Sequence, residues 1–549
     1  MVSTYARRAL LVVVPFSLCA QVPIDTTRSD PEREFETALE ETTQDAEDSQ
    51  LVDLLTALLE HPLDINTATI DELTQIPGIT PIIAFHIVTA RDSTLFTSPD
   101  QLLRVEGITD ELFERIRDFV CVIQPEHRSP TVPFSSLTVR VRTVRDLQQK
   151  QGFLDGSFQG SAWKVYSRLT ARSHRFGSQG SFVDVGLLTE KDAGENSFSN
   201  FLAGYLSVYL RDYSSSLLVG DFTVEAAEGL VFWRSIGFSK GSEVISTVKK
   251  GGVGIRPYLS TDENWYFRGV AGQVDLPGVS LSAFYSSKPL HASVNSEGVL
   301  TSFYSSGLFR TESELLRRST AHSTLIGGRA TGSLARGLKV GGSLYQATFS
   351  PEVMQSSDFG FKGRRASMFG MDISFTRPTF SIFTEGARSS SKSVAAIGGV
   401  IVEPVNNFEI ALVGRYYPKE FKSLYGNGFG ETHSTQNETG IYTAARVRLS
   451  RWLTVSSYFD QYSFPWKSGT VRTPSHGNDF LLFSDVRLSD RLSLELRYRH
   501  HNKPDGEPSG RSATSDELSC NVRVSVIHCI SHTQPRRSCQ RRLSVQPDD

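Results

Sequence analysis

Histidine, cysteine and serine are the residue types in this 549-residue chain that could do chemistry. His500-His501 and the spaced pair His528 and His532 invite a metal ion, but no cysteine or carboxylate stands beside them at ligand spacing, so a solvated loop pair is expected. His86 falls inside a helical pattern and reads as a surface or packing residue. The 5 cysteines are scattered, with neither a disulfide framework nor paired zinc spacing. Serine is too abundant to single out a nucleophile. A G-x-S-x-G elbow, a phosphate loop and a dinucleotide-binding glycine pattern are all absent. The sequence therefore predicts a protein that is not an enzyme, with no catalytic residue, no metal and no cofactor. Two kinds of group are left: glycine hairpins that could present backbone N–H groups to an anion or a partner, and basic residues alternating with apolar ones.

The hairpins lie within residues 61–123, where helix signals are dense. Thr69-x-x-Glu72 is a capping box ahead of Leu73. Ser98-Pro99-Asp100-Gln101 reads as an N-cap, a first-turn proline and a second capping box. Between the helices lie Ile76-Pro77-Gly78-Ile79-Thr80 and Val105-Glu106-Gly107-Ile108-Thr109. Each places glycine where the chain must turn and follows it with an apolar residue that tucks into the core.

This segment, with its lead-in Leu63-Asp64-Ile65-Asn66-Thr67-Ala68 and the aliphatic positions Ala84, Ile87 and Ile116, resembles the tandem helix-hairpin-helix domain of competence-type DNA receptors. The resemblance implies a small all-α fold whose hairpin residues Pro77, Gly78, Ile79, Thr80, Glu106, Gly107, Ile108 and Thr109 contact a phosphate or a partner. Two departures weigh against DNA. The family's second hairpin glycine is replaced by Thr80 and Thr109, and Thr80-Pro81 is a cap pair that uses a helix N–H internally and removes another. Residues 61–125 also hold 10 acidic against 4 basic residues, whereas phosphate binding relies on lysine and arginine. An acidic protein-docking module is the favoured reading, with DNA binding or uptake the alternative.

After a linker at 124–133 the hydrophobic period changes to two. Leu137, Val139 and Val141 alternate with Thr138, Arg140 and Arg142. Trp163, Val165 and Leu169 alternate with Lys164, Tyr166, Arg168, Thr170 and Arg172, and Leu492, Leu494, Leu496 and Tyr498 with Ser493, Glu495, Arg497 and Arg499. Past the first 20 residues no apolar run of ~18 exists to form a membrane helix, but strands with one apolar face can cross a bilayer when tilted. Tight turns at Ser450-Arg451, Ser489-Asp490, Arg336-Gly337 and Thr376-Arg377-Pro378 oppose long polar loops at Pro418 to Gly440, Asp460 to Asn478 and His500 to Asp516. Aromatic residues near strand ends (Tyr416-Tyr417, Trp452, Tyr458-Phe459, Trp265-Tyr266) read as interfacial girdles.

These features predict an α+β multidomain chain: the helix-hairpin-helix domain, then a large antiparallel transmembrane β-barrel over 134–526 of roughly 16 strands, with 14–18 plausible. Arg140, Arg142, Lys164, Arg168, Arg172, Arg497 and Arg499 are the candidate lumen residues. They either favour anionic solutes, pair with acids across the lumen, or face lipopolysaccharide phosphates. The stretch from Gly220 through Gly229-Leu230-Val231-Phe232-Trp233 to Tyr258 breaks the alternation and reads as an inward loop, a plug or a bulged strand pair. It resembles a block in barrels fused to helix-hairpin-helix domains in Bacteroidetes-type bacteria.

The chain ends complete the reading. Arg7-Arg8, the apolar run Ala9 to Phe16 and Ala20 make a signal peptide over 1–20, with Leu18 arguing against lipidation of Cys19. Residues 21–60 are acidic and helix-prone. Cys520 to Val526 still alternates, but 527–549 loses all pattern and reads as a frameshifted tail, an idea that resequencing with an intact frame would sink. The net charge of −3 hides −16 over 21–125 and +11 over 126–549. The expected location is the outer membrane with the N-terminal domain in the periplasm. The expected partners are membrane lipid, lipopolysaccharide, and either a periplasmic protein or basic turns of the chain's own barrel. The expected role is solute passage or envelope assembly.

Overall fold

The computed structural model describes residues 58–59, 62–123, 134–177, 180–233, 240–432, 434–467, 471, 473–489, 492–504 and 512–524. The expected signal peptide, nearly all of the acidic segment, the linker at 124–133 and the tail at 527–549 lie outside the described residues.

The small domain is built from helices α1 (Ile70–Leu73), α2 (Pro81–Ser93) and α3 (Asp110–Ile116), and a two-residue parallel pairing of Leu63–Asp64 with Val120–Cys121 ties its ends together. The Thr69–Glu72 capping box forms in both directions, at 2.7 and 3.2 Å. The second box does not form: Thr97 and Gln101 bond each other instead, Ser98 makes no side-chain cap, and Pro99–Arg104 is a 3-10 helix. Ile65, Leu73, Ile76, Ile79, Ile87, Leu102 and Ile116 are fully buried in a core of this domain's own.

Both hairpins turn through a glycine at φ +88°. A Cβ on Gly78 would stand 2.9 Å from Leu112 Cδ1. Gly78→Ala is expected to destabilise the domain by about 1–2 kcal/mol, since the left-handed conformation alone costs an L-residue that much. Thermal unfolding of residues 58–123 followed by helical circular dichroism measures it; an unchanged midpoint would contradict the strain.

From Phe134–Arg145 to Ser512–Val524, each long strand pairs antiparallel with the next. Eighteen strands of ten residues or more are described, where about 16 were expected. The strands are also longer than expected: Leu453–Phe464, Ser475–Ser489, Leu492–Pro504 and Ser512–Val524 run on into residues expected to be polar loop. Asp460, the first of those residues, is completely buried. Tight connections lie at one end, where Leu276 pairs with Val279, Ala335 with Leu338, Arg377 with Phe380 and Ser450 with Leu453. The small domain sits at that turn end, with α2 against strands Lys362–Arg377 and Phe380–Ser389.

Burial alternates along most of the strands, whereas Phe134–Arg145 is exposed at every residue but Arg140. Leu217, Val219, Val270, Leu281, Ile326, Phe369, Met371, Ile373, Ile382, Leu412 and Ile441 are exposed on the outer face. The expected girdle splits between faces: Tyr416, Trp452 and Phe459 are outward and exposed, while Tyr417, Tyr458 and Tyr266 are buried inward. Proximity to a strand end does not determine side; position within the two-residue period does.

The pattern-breaking stretch leaves the sheet after Glu225 and rejoins it at Gly254, and those two residues are partners in the ladder. Between them the described residues, 226–233 and 240–253, run inward. Leu230, Val231, Phe232, Val244, Ile245 and Val248 are wholly buried among Phe222, Phe284, Tyr345, Phe383, Tyr417 and Tyr442 of the inner face. Val231 packs against Gly370, Tyr442 Oη donates to the Val244 carbonyl at 2.9 Å, and the Trp233 backbone N–H donates to the carbonyl of Tyr425, in the 418–437 loop, at 2.8 Å. Contacts to strands so far apart in sequence mean that the sheet curls around this segment. An inward segment, and not a bulged strand pair, is what breaks the alternation.

Candidate functional site

The hairpins come first. Thr80 Oγ accepts the Ile83 N–H at 3.3 Å, and Thr109 Oγ accepts the Leu112 N–H at 3.3 Å, so each threonine caps its own helix as the substitution of glycine implies. Ile79 and Ile108 are buried in the domain core, Pro77 is half-buried, and the exposed Glu106 bonds through its carbonyl to His86 Nδ1 at 3.0 Å. Gly78, Gly107 and Thr109 line a cavity of 830 Å³ between the domain and the inner rim of the sheet. Its walls carry both signs: Glu111, Glu114, Glu243 and Asp485 stand beside Arg115, Arg446, Arg448, Arg487 and Arg497. A phosphate reaching the hairpins would meet carboxylates as well as arginines, and at each hairpin the threonine cap already takes one helix-end N–H.

The domain's contacts reach two different parts of the chain. On the rim, Arg336 pairs with Asp92 at 3.0 Å, Arg487 with Glu111 at 2.8 Å and Lys339 with Asp71 at 2.6 Å. The first pair is half exposed on both sides and adds little. On the inward segment, Asp71 also meets Lys249 at 3.4 Å, Arg115 meets Glu243 at 3.0 Å, and the Gln75 amide donates to Glu225 and to the Gly251 carbonyl. Ile82 of α2 belongs to the interior core itself.

Burial alone would raise the pKa of Asp71, but Lys339 and Lys249 outweigh it and hold the carboxyl well below its ordinary range. For a depressed carboxylate, the contribution is complete above the undocked value of about 3.9, declines as pH falls below it and is gone only below the lower docked value. Labels on Leu95→Cys and Leu334→Cys are therefore expected to show constant energy transfer from pH ~8 to ~5 and a loss below pH ~4. A change centred near neutral pH would exclude Asp71 as the controlling group.

Three of the seven expected lumen cations are paired with acids. Lys164 reaches Glu190 and Asp192, both at 2.8 Å, Arg172 reaches Asp184 at 2.7 Å, and Arg499 bonds Asp479 through two nitrogens at 3.0 and 2.8 Å. Arg168 is buried, Arg140 is half-buried, Arg142 lies exposed over the Tyr166 ring at 5.7 Å, and Arg497 lines the cavity. Of the readings open for these residues, pairing with acids is the one whose geometry is visible for three of them, and each of those pairs joins adjacent strands.

The densest network was not legible beforehand. Arg415 is fully buried and bonds Glu438 at 2.6 Å and Asp460 at 2.8 and 3.0 Å. Lys240 of the inward segment joins it through Asp460 and through Glu431, the latter at 2.8 Å. Gly440, opposite Arg415 in the ladder, makes the room: a Cβ there would lie 2.5 Å from the guanidinium carbon. Arg329 and Asp372 fit beside Gly341 in the same way. Acids recurring at inward strand positions were the available signal, but only the register shows which base each one meets.

His501 differs from expectation. It lies on a strand and not in a loop, and it bonds Tyr462 Oη and Glu431, both at 3.1 Å. Glu431, Asp479 and His501 bring potential ligand atoms within 4.8 Å, so carboxylates do stand near this histidine, supplied by other strands and loops. Lys240, Lys503 and Arg499 already engage those carboxylates, at 2.8 to 3.6 Å, and a dication would have to displace them. The cluster reads as an ion-pair network.

The family described as helix-hairpin-helix motif matches residues 60–121. Among solved structures, the outer membrane protein OprD from Pseudomonas aeruginosa is similar at 12% identity and TM-score 0.35, over 70% of this chain and 91% of that chain. Pseudomonas aeruginosa OpdQ is similar at 11% identity and TM-score 0.35, covering 66% and 90%. Acinetobacter baumannii OccAB4 is similar at 11% and 0.34, covering 70% and 95%. Comparison with curated proteins returns no match. Likeness of this depth carries no inference about activity.

Proposed function

We propose that this chain is an outer-membrane β-barrel whose first and last strands meet to close the sheet, with the helix-hairpin-helix module docked at its periplasmic turn end, and that it serves solute passage through a regulated interior. The observation that carries the proposal is the two-faced sheet. One face is exposed and apolar strand after strand, and the other is charged and wrapped around the chain's own segment. Water cannot favour the outer face, but acyl chains can. The protein is expected to fractionate with the outer membrane and to migrate faster unheated than boiled on a gel. A soluble periplasmic product with heat-independent mobility would defeat the proposal.

DNA binding is the second reading, and the family match at 60–121 favours it. Against it stand the threonine caps, the carboxylates on the cavity wall and the position of both hairpin glycines at that cavity. In a gel-shift series at low and moderate salt, neither the full chain in detergent nor residues 58–123 is expected to retain duplex DNA. Tight binding that weakens steeply with salt would reverse the order of the two readings.

A further inference from the structure

We propose that the helix-hairpin-helix domain is the latch of the inward segment: it holds residues 243–251 in the interior, and its withdrawal from them releases that stretch. The inference rests on the solute-passage reading and deepens it by naming what controls the passage.

A domain that merely rested on the rim would touch only turns. This one grips the inward segment near both ends of its stretch 243–251. At one end Arg115 pairs with Glu243. At the other Asp71 pairs with Lys249, whose side chain is only 3% exposed, and Gln75 holds the Gly251 carbonyl. Asp71 is shared: its second oxygen meets Lys339 of the wall at 2.6 Å, so one carboxylate ties domain, segment and sheet together. Contact at Gly251 is tight enough that a Cβ would stand 2.8 Å from the Asp71 carbonyl oxygen and 2.6 Å from Thr74 Oγ. Ile82 extends the segment's own apolar core, beside which Val244, Ile245 and Val248 are wholly buried.

With the domain withdrawn, Lys249 would be a buried ammonium without that carboxylate. A buried charge stripped of its partner drives local rearrangement toward water. The backbone bonds that would then hold the segment are few among the described residues. The Val248 N–H reaches the carbonyl of Ile245 only at 3.5 Å, while the Lys250 N–H is held at 2.9 Å by the buried Glu228 carboxylate.

Two variants of the full chain loosen the grip by unrelated means. Asp71→Asn removes the shared charge, and Gly251→Leu wedges the segment from the domain while leaving every charge in place. Hydrogen exchange at Val244, Val248 and Lys250 in detergent micelles reads the latch directly. Single-channel current in planar bilayers reads passage. Both variants are expected to exchange at these amides about tenfold faster or more, the factor that a loss of ~1.4 kcal/mol produces, and to conduct where the parent chain does not. Unchanged exchange in a variant that keeps its heat-modifiable mobility overturns the latch. Faster exchange without current leaves the latch standing and removes solute passage as its purpose.

Discussion

Excising residues 226–253 and joining Glu225 to Gly254 through an Asn-Gly turn is expected to convert an occluded interior into an open channel. The cut is feasible because Glu225 and Gly254 already face each other in the ladder, so a two-residue type I′ connection can bridge them. The excised stretch contributes Leu230, Val231, Phe232, Val244, Ile245 and Val248 to the interior core. Without it, the inner face is left with aromatic side chains such as Phe284 and Tyr345 and with ion pairs such as Arg329–Asp372 and Arg415–Asp460, which water can solvate. Sheets of this strand number enclose an aqueous channel when nothing fills them. Planar-bilayer recording of the excised chain should show discrete steps against a quiet parent. A silent excised chain with intact heat-modifiable mobility would mean that the 418–437 loop, with Phe421, Tyr425 and Phe429 buried inward, seals the interior by itself.

The second large effect is on stability. Arg415→Met is expected to cost about 3–5 kcal/mol, because it strands Glu438 and Asp460 with too little positive charge in the interior. All three side chains in this network are wholly buried. Lys240 would still reach Asp460 but also serves Glu431, so it cannot neutralise both orphaned acids. Arg415→Lys should recover only part of the loss, since a single ammonium cannot reproduce the three-bond fork to two carboxylates. Urea unfolding in detergent, followed by the gel-mobility shift, provides the measurement. The triple variant Arg415→Met, Glu438→Gln, Asp460→Asn separates the causes: recovery toward the parent value points to stranded charge, and no recovery points to lost packing.

Much of the fold was legible in the residues alone. The capping box at Thr69–Glu72, the glycine turns at Gly78 and Gly107 and the alternation at Leu137 to Arg142 are local signals, set by backbone sterics and by a period of two or 3.6 residues. Local physics also accounts for the threonine caps that weigh against phosphate binding. The loops at Asp460–Asn478 and His500–Asp516 were misjudged for a related reason: inward polar residues of a charged interior have the composition of a loop, and only the ladder separates the two. The same holds for Tyr417 and Tyr458, whose neighbours Tyr416 and Phe459 face outward.

Charge bookkeeping showed that an acidic domain precedes a basic sheet, but not which residues meet. By itself the sequence determined the element types, the two-part organisation and the sign of each part. The tertiary structure decided that Asp71 serves Lys249 and Lys339 together, that Arg415 takes both Glu438 and Asp460, and that the chain between Glu225 and Gly254 turns inward. Such pairings span up to 268 positions along the chain between Asp71 and Lys339. No local periodicity carries information over that distance; strand register and the curl of the sheet do.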